Sequence, residues 1–237
     1  MTSIAEAAPE SGARFKRARR PEEVSIRRET LLNAAAELFD EGGPTGAGLN
    51  AIAARAGFTK SNVYRYFESR EEVLLCLYLA EFEAFLPRFE IAVAMCPDSN
   101  TAMIARATVD TLLDHPRLIR LMAILSSVIE HNISVETAAD LKRETNIQHM
   151  RIAFTLHDKL PGTTMEDCAW VAGMIQVVVA GLWPAAHPSP VATQILATPE
   201  FMHLRPEFER DIERSVLALL RSIDSRWLPA DAVLRPV

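Results

Sequence analysis

The nineteen residues from Leu49 to Phe67, LNAIAARAGFTKSNVYRYF, restrict the chain more than any other stretch. Leu49, Ile52, Ala53 and Ala56 recur at i, i+3, i+4 and i+7, the apolar face of a short helix. Gly57 comes next and supplies the left-handed backbone that a helix C-terminus prefers. Thr59 offers a side-chain oxygen to cap a second helix. Val63 and Phe67, four apart, turn that helix inward. Lys60, Ser61, Asn62 and Arg65 point away, with Tyr64 and Tyr66 at the flanks. Two short helices, a glycine turn and a face able to meet phosphates and base edges describe a helix-turn-helix. By periodicity alone, an ordinary helical hairpin with a polar surface stays open.

The run AAAELFDEGG followed by IAARAGFTKSNVYRYFESREEVL resembles the amino-terminal DNA-binding domain of the TetR (tetracycline-repressor-like) family of bacterial regulators. The resemblance is carried by Ala34-Ala35, Phe39, Gly42, Ile52-Ala53, Ala56-Gly57, the Val63-Tyr64-x-Tyr66-Phe67 string and Arg70-Glu71-Glu72. It covers about a quarter of the chain. One departure is Gly48, where the family usually caps its second helix with Thr or Ser. Gly is tolerated there, but the hydroxyl contact to a phosphate is lost. The resemblance implies an all-α fold, with a three-helix head at 21–70 and a helical regulatory and dimerisation body at 71–237. It further implies a homodimer on a palindromic operator, displaced by a small-molecule effector, in the cytoplasm.

Charge is divided along the chain. Net charge is −6, but residues 1–70 hold eleven Lys/Arg against nine Asp/Glu, and the remainder fourteen against twenty-two. Positive charge thus gathers at the motif. Residues 1–20 read as a disordered tail ending in Arg14, Lys16, Arg17, Arg19 and Arg20, a solvated leader or an arm for the DNA backbone. Cys76, Cys96 and Cys168 form no CxxC pair, which fits a reducing compartment without a disulfide framework. No signal peptide is read at the start.

The helices are expected near 21–41, 49–56, 60–67, 70–96, 101–114, 117–132, 135–160, 165–183 and 207–224, with a looser connection at 184–206. Gly42-Gly43-Pro44 should end the first. Ser69 should cap the fourth, whose faces are Val73, Leu77, Ala80 and Ala84 on one side and Phe82, Phe85 and Phe89 on another. Cys168 to Ala186 carries no formal charge and approaches the ~20 residues of a bilayer span. Gln176, Pro184 and the absent positive flanks argue instead for a helix buried between core and subunit interface. The last helix places Ile212, Val216, Leu219, Leu220 and Ile223 on one stripe. By the family resemblance, 165–183 and 207–224 should pair with their copies in a second subunit, the small Gly173 and Gly181 allowing close approach.

The candidate DNA contacts are Thr59, Lys60, Ser61, Asn62, Tyr64, Arg65, Tyr66 and Arg70. Lys60, Tyr64, Tyr66 and Arg70 resemble the family's phosphate-clamping set. Thr59, Ser61, Asn62 and Arg65 are placed for base edges, Asn for adenine and Arg for guanine. Candidates for an effector pocket are Arg120, Asn146, His149, Met150, Phe154, Trp170, Met174 and Gln176, polar groups within apolar runs and adaptable Met and aromatic side chains. No GxSxG elbow, HExxH helix or Walker lysine occurs, and no two histidines stand four apart. No catalytic residue, cofactor or metal is therefore expected. Two other classes stay open: a helical carrier or enzyme with an incidental helix-turn-helix, and a regulator sensing metal or thiol oxidation.

Overall fold

The structure, a computed structural model, describes residues 21–224, and among them there is no strand. The basic cluster of the tail lies outside the described residues. The helices are α1 (Pro21–Gly46), α2 (Leu49–Arg55), α3 (Lys60–Val63), α4 (Arg70–Ala94), α5 (Thr101–Leu113), α6 (Pro116–Ile124), α7 (Val135–Lys159), α8 (Met165–Ala186), α9 (Pro190–Leu196) and α10 (Phe208–Ile223). Helices α1, α2 and α3 form the head. Helix α4 packs on α1 at one end and on α5, α6 and α7 beyond it.

The first helix runs past its expected end, but its regular trace breaks at Gly43 (φ 64°, ψ −157°), a backbone that non-glycine residues rarely adopt. Ser69 caps α4 by accepting from the Glu72 amide at 3.1 Å, and Glu71 and Glu72 sit in its first turn, favoured by the helix dipole. The faces assigned to α4 need correction. Val73 and Leu77 are buried, whereas Ala80 and Ala84 are exposed. The neighbours of the head cover this face only near the N-terminus of α4. The long buried stripe is the one bearing Tyr78, Phe82, Phe85 and Phe89.

The helix expected over 117–132 is three pieces: α6, a π turn at Leu125–Ile129 and a 3₁₀ turn at Glu130–Asn132. The connection after α8 contains α9 and a 3₁₀ turn at Met202–Leu204, and α9 has no buried residue. On α10, Ile212, Val216, Leu220 and Ile223 are buried, but against α5 and α8 of the same chain. The stripe of the last helix thus finds its partner helices within one chain. Helix α8 is the one described helix long and apolar enough to cross a membrane, yet it packs against α6, α7 and α10 in the body. Its outer face bares Trp170 and Val177, with exposed Gly181 in line.

Candidate nucleic-acid interface and the body cavity

The turn between α2 and α3 is built by its backbone. The amide of Phe58 donates to the Ala53 carbonyl at 2.9 Å and that of Gly57 to Ala54 at 3.3 Å. This pair of bonds closes a Schellman motif around Gly57 at φ 71°. Ile52, Val63 and Phe67 then meet in the core of the head, each burial contributing about 1.5–3 kcal/mol.

The recognition element is shorter than expected. The α-helix covers only Lys60–Val63, and i→i−3 bonds from Arg65 to Asn62 (3.2 Å) and from Tyr66 to Val63 (2.9 Å) tighten the residues after it. Val63 and its aromatic neighbours Tyr64 and Tyr66 are poor helix formers, and Phe67 is drawn into the core. Thr59 occupies the cap position without making a side-chain cap bond, its hydroxyl lying 3.2 Å from that of Ser61. The N-cap of α2, Gly48, likewise makes no side-chain cap bond.

The eight residues expected at the DNA face divide. Thr59, Lys60, Ser61, Tyr64 and Arg65 are exposed, and Asn62 is half-buried. Lys60 Nζ sits 5.7 Å over the Tyr64 ring, so cation and phenol share one patch. Two residues are turned to other uses. Arg70 Nη2 is held 2.6 Å from Glu71 Oε1. The Tyr66 hydroxyl is sealed from solvent with no hydrogen-bond partner, because the tightened turn folds that ring back against the core. Arg55 is also engaged, on Glu37 at 3.0 Å and Glu41 at 2.8 Å, which raises its pKa further and lowers that of Glu41.

The residues expected at an effector pocket scatter more. Asn146, Phe154 and Trp170 are exposed, and Met150 and Met174 half-buried. Arg120 lies at the head–body junction, where Nη2 donates to the Phe39 carbonyl at 2.7 Å and its guanidinium stands 4.7 Å over the Phe39 ring. Next to it, Arg117 grips Asp40 through two bonds, at 3.1 and 2.6 Å, and also pairs with Glu81. Nothing local in the sequence announces these long-range partners.

His149 and Gln176 do come together, His149 Nε2 lying 2.8 Å from Gln176 Oε1. They line a cavity of about 20 Å³. Its walls are Phe82, Phe85 and Phe89 from α4, Thr108 and Leu112 from α5, and Met122 from α6; Ile152, Ala172 and Ile175 close it. The Tyr78 hydroxyl donates to Gln176 Oε1 at 3.4 Å. Burial pushes the Tyr78 pKa up and holds that of His149 below the usual imidazole value, Gln176 partly opposing the latter. The spacing of Phe82, Phe85 and Phe89 made these three legible as one face; that they face α7 and α8 was not.

Among the described residues, no three His, Cys, Asp or Glu converge to hold a metal. Burial is the leading cause of raised thiol pKa values at Cys76, Cys96 and Cys168. Cys76 also takes a bond from Arg28 at 2.9 Å. Raised pKa values suit structural thiols better than reactive ones.

A three-helix head with an exposed second motif helix, carried on a helical body with its own cavity, defines the class of helix-turn-helix proteins with an all-helical C-terminal domain. A model for the tetR family of bacterial regulatory proteins matches residues 31–77. The model for the tetracyclin repressor-like C-terminal domain matches residues 79–225, more than half of the chain. The chain belongs to the TetR family. It is 41% identical over 61 residues to an uncharacterised HTH-type transcriptional regulator of Mycobacterium tuberculosis, a stretch that is 26% of this chain and 29% of that protein. The match therefore spans under a third of that relative. Solved structures share the fold at greater length. A transcriptional regulator from Rhodococcus sp. RHA1 (18% identity, TM-score 0.54) is covered over 99% of its length by 85% of this chain. A TetR-family regulator from Streptomyces coelicolor gives 19%, 0.51, 99% and 85%. The regulator FadR from Bacillus subtilis, solved with stearoyl-CoA, gives 18%, 0.50, 96% and 81%.

Proposed function

We propose that this protein is a sequence-specific transcriptional regulator, a repressor, that binds a palindromic operator as a homodimer and is released by a small molecule held in its body. The observation that carries the reading is the exposed patch of Thr59, Lys60, Ser61, Tyr64 and Arg65 on an element anchored from behind by Val63 and Phe67. Lys60 and Tyr64 would clamp phosphates, while Ser61, Asn62 and Arg65 would meet base edges. Such a short element reads few base pairs, so two copies spaced about 34–36 Å apart, or a multiple of that, are needed to read a site. Release would run through α6, which carries Met122 at the cavity and Arg117 and Arg120 on the end of α1. An effector that prefers one arrangement of α6 shifts the head with it. The protein on this reading has no catalytic step, cofactor or metal, and works in the cytoplasm with its DNA.

Selection of bound duplexes from a random pool should return an inverted repeat. Combining Lys60→Ala with Tyr64→Ala should weaken binding to all duplexes by about tenfold or more and reduce the salt slope by roughly one unit per lost phosphate contact. If the double variant binds every duplex as the parent does, the assigned face is wrong. A pool that returns no preferred sequence favours the carrier reading instead.

A further inference from the structure

Building on the reading of the body as an effector chamber, we propose that its cavity takes an uncharged, predominantly apolar compound bearing a hydroxyl or amide N–H donor, and rejects carboxylates and phosphates. Three observations converge. First, no Lys, Arg, Asp or Glu lines the cavity. An anion entering it would lose its water with no cation to replace it. The cations nearby are spent: Lys142 is 2.6 Å from Glu130, and Arg151 holds Glu90 and Glu83 at 2.9 and 3.2 Å.

Second, the polar groups of the chamber are neutral and mostly matched to one another. The carbonyl of Gln176 accepts from both His149 and Tyr78. Third, one acceptor is unmet. Gln148 Oε1 is buried without a hydrogen bond. Gln148 is only 5% exposed and stands just outside the cavity's own lining, on the face of α7 that bears His149 and Ile152, so a ligand reaches it as the chamber opens. An unmet buried acceptor is costly, and a ligand that donates a proton to it recovers that cost. The aromatic wall, with Phe85 stacked 5.6 Å from Phe89 and edge-on 5.9 Å from Phe82, accepts hydrocarbon. At about 20 Å³ the chamber holds roughly one water until it opens. Met122 is an adaptable side chain, and the π turn that begins at Leu125 makes this end of α6 the natural place for it to yield.

The test uses the full chain without DNA, reading its melting temperature against matched probes: 2-naphthol, naphthalene and 2-naphthoate as a planar set, 1-octanol, octane and octanoate as a flexible one. At least one alcohol should raise the melting temperature saturably. Its hydrocarbon should bind about fivefold more weakly, the loss of one net hydrogen bond, and both carboxylates should leave the melting temperature unmoved. Gln148→Leu should erase the preference for alcohol over hydrocarbon; Gln148→Met supplies the same comparison should the first variant not fold. The proposal is overturned if a carboxylate stabilises as strongly as its alcohol, if neither alcohol acts, or if the folded variants keep the full preference. Because no operator enters the assay, its failure is distinct from failure of the DNA-binding reading.

Discussion

Tyr66 is a side chain of the right type at the right spacing that the fold turns inward. Its ring is half-buried, and its hydroxyl is a buried polar atom of the head that makes no hydrogen bond. A phenol ordinarily finds a partner when buried, and leaving it without one costs about 1–3 kcal/mol. Tyr66→Phe should therefore keep or raise stability, by about 1 kcal/mol, and leave operator affinity within twofold of the parent. Thermal melts and a binding isotherm check both at once. A tenfold loss of affinity would mean that the hydroxyl turns outward to meet DNA. The neighbouring Tyr64, half exposed with Lys60 over its ring, should behave in the opposite way. The sequence contains the difference only indirectly: Val63 and Phe67 fix the inward face, but where the helix gives way to tighter turns decides which phenol goes with them. Arg70 is a parallel case, since its neighbour Glu71 is 9% exposed and takes the guanidinium for itself.

Elements were legible where local chemistry is strong. The Gly57 turn, the Ser69 cap and the long apolar periodicities of α4, α5, α7, α8 and α10 each arise from residues within a few positions. Beyond that range lies the assignment of faces, because burial depends on which helix arrives from elsewhere. Helix α6 is the instructive element. Its sequence suggested Arg120 as a polar group for a ligand, yet the folded chain sets Arg120 and Arg117 against the last carbonyls and the Asp40 carboxylate of α1. Cations at a helix C-terminus are favourable, and the Phe39 ring beneath Arg120 adds to the attraction. The Asp40 pair is about a third open to water, which limits its contribution. Arg120→Ala should thus cost about 1 kcal/mol, roughly 2–4 °C in melting temperature for a chain this size. Ligand-free operator affinity should stay within about threefold, while the fold-change produced by an active effector should shrink. Titration of operator complexes with and without effector separates the two terms. An undiminished response would show that α6 does not carry the signal to the head.

At the scale of the whole molecule the remaining question is what covers α8. Its nineteen residues from Cys168 to Ala186 carry no charge, and one side is used inside the chain by Cys168, Val171, Ala172 and Val179. The other side leaves Trp170 49% and Val177 59% exposed, with Gly173 and Gly181 in the same line. Exposed apolar side chains scattered singly need no explanation, but a continuous uncharged stripe does. Helix α10 contributes little apolar surface beside it, since its stripe is buried and Arg210 and Arg214 face outward. On the proposed homodimer the contact would rest mainly on α8, with α10 as a charged flank. Because Val177 is exposed, Val177→Lys should leave the fold of one chain intact while placing two cations near the twofold axis. Sedimentation should then show monomer at concentrations where the parent is a dimer. Operator affinity should fall by about tenfold or more, since each head alone holds only a half-site. Binding to a single half-site should be nearly unchanged. A Val177→Lys protein that remains dimeric and binds the full operator as the parent does would move the subunit contact to another face of the body.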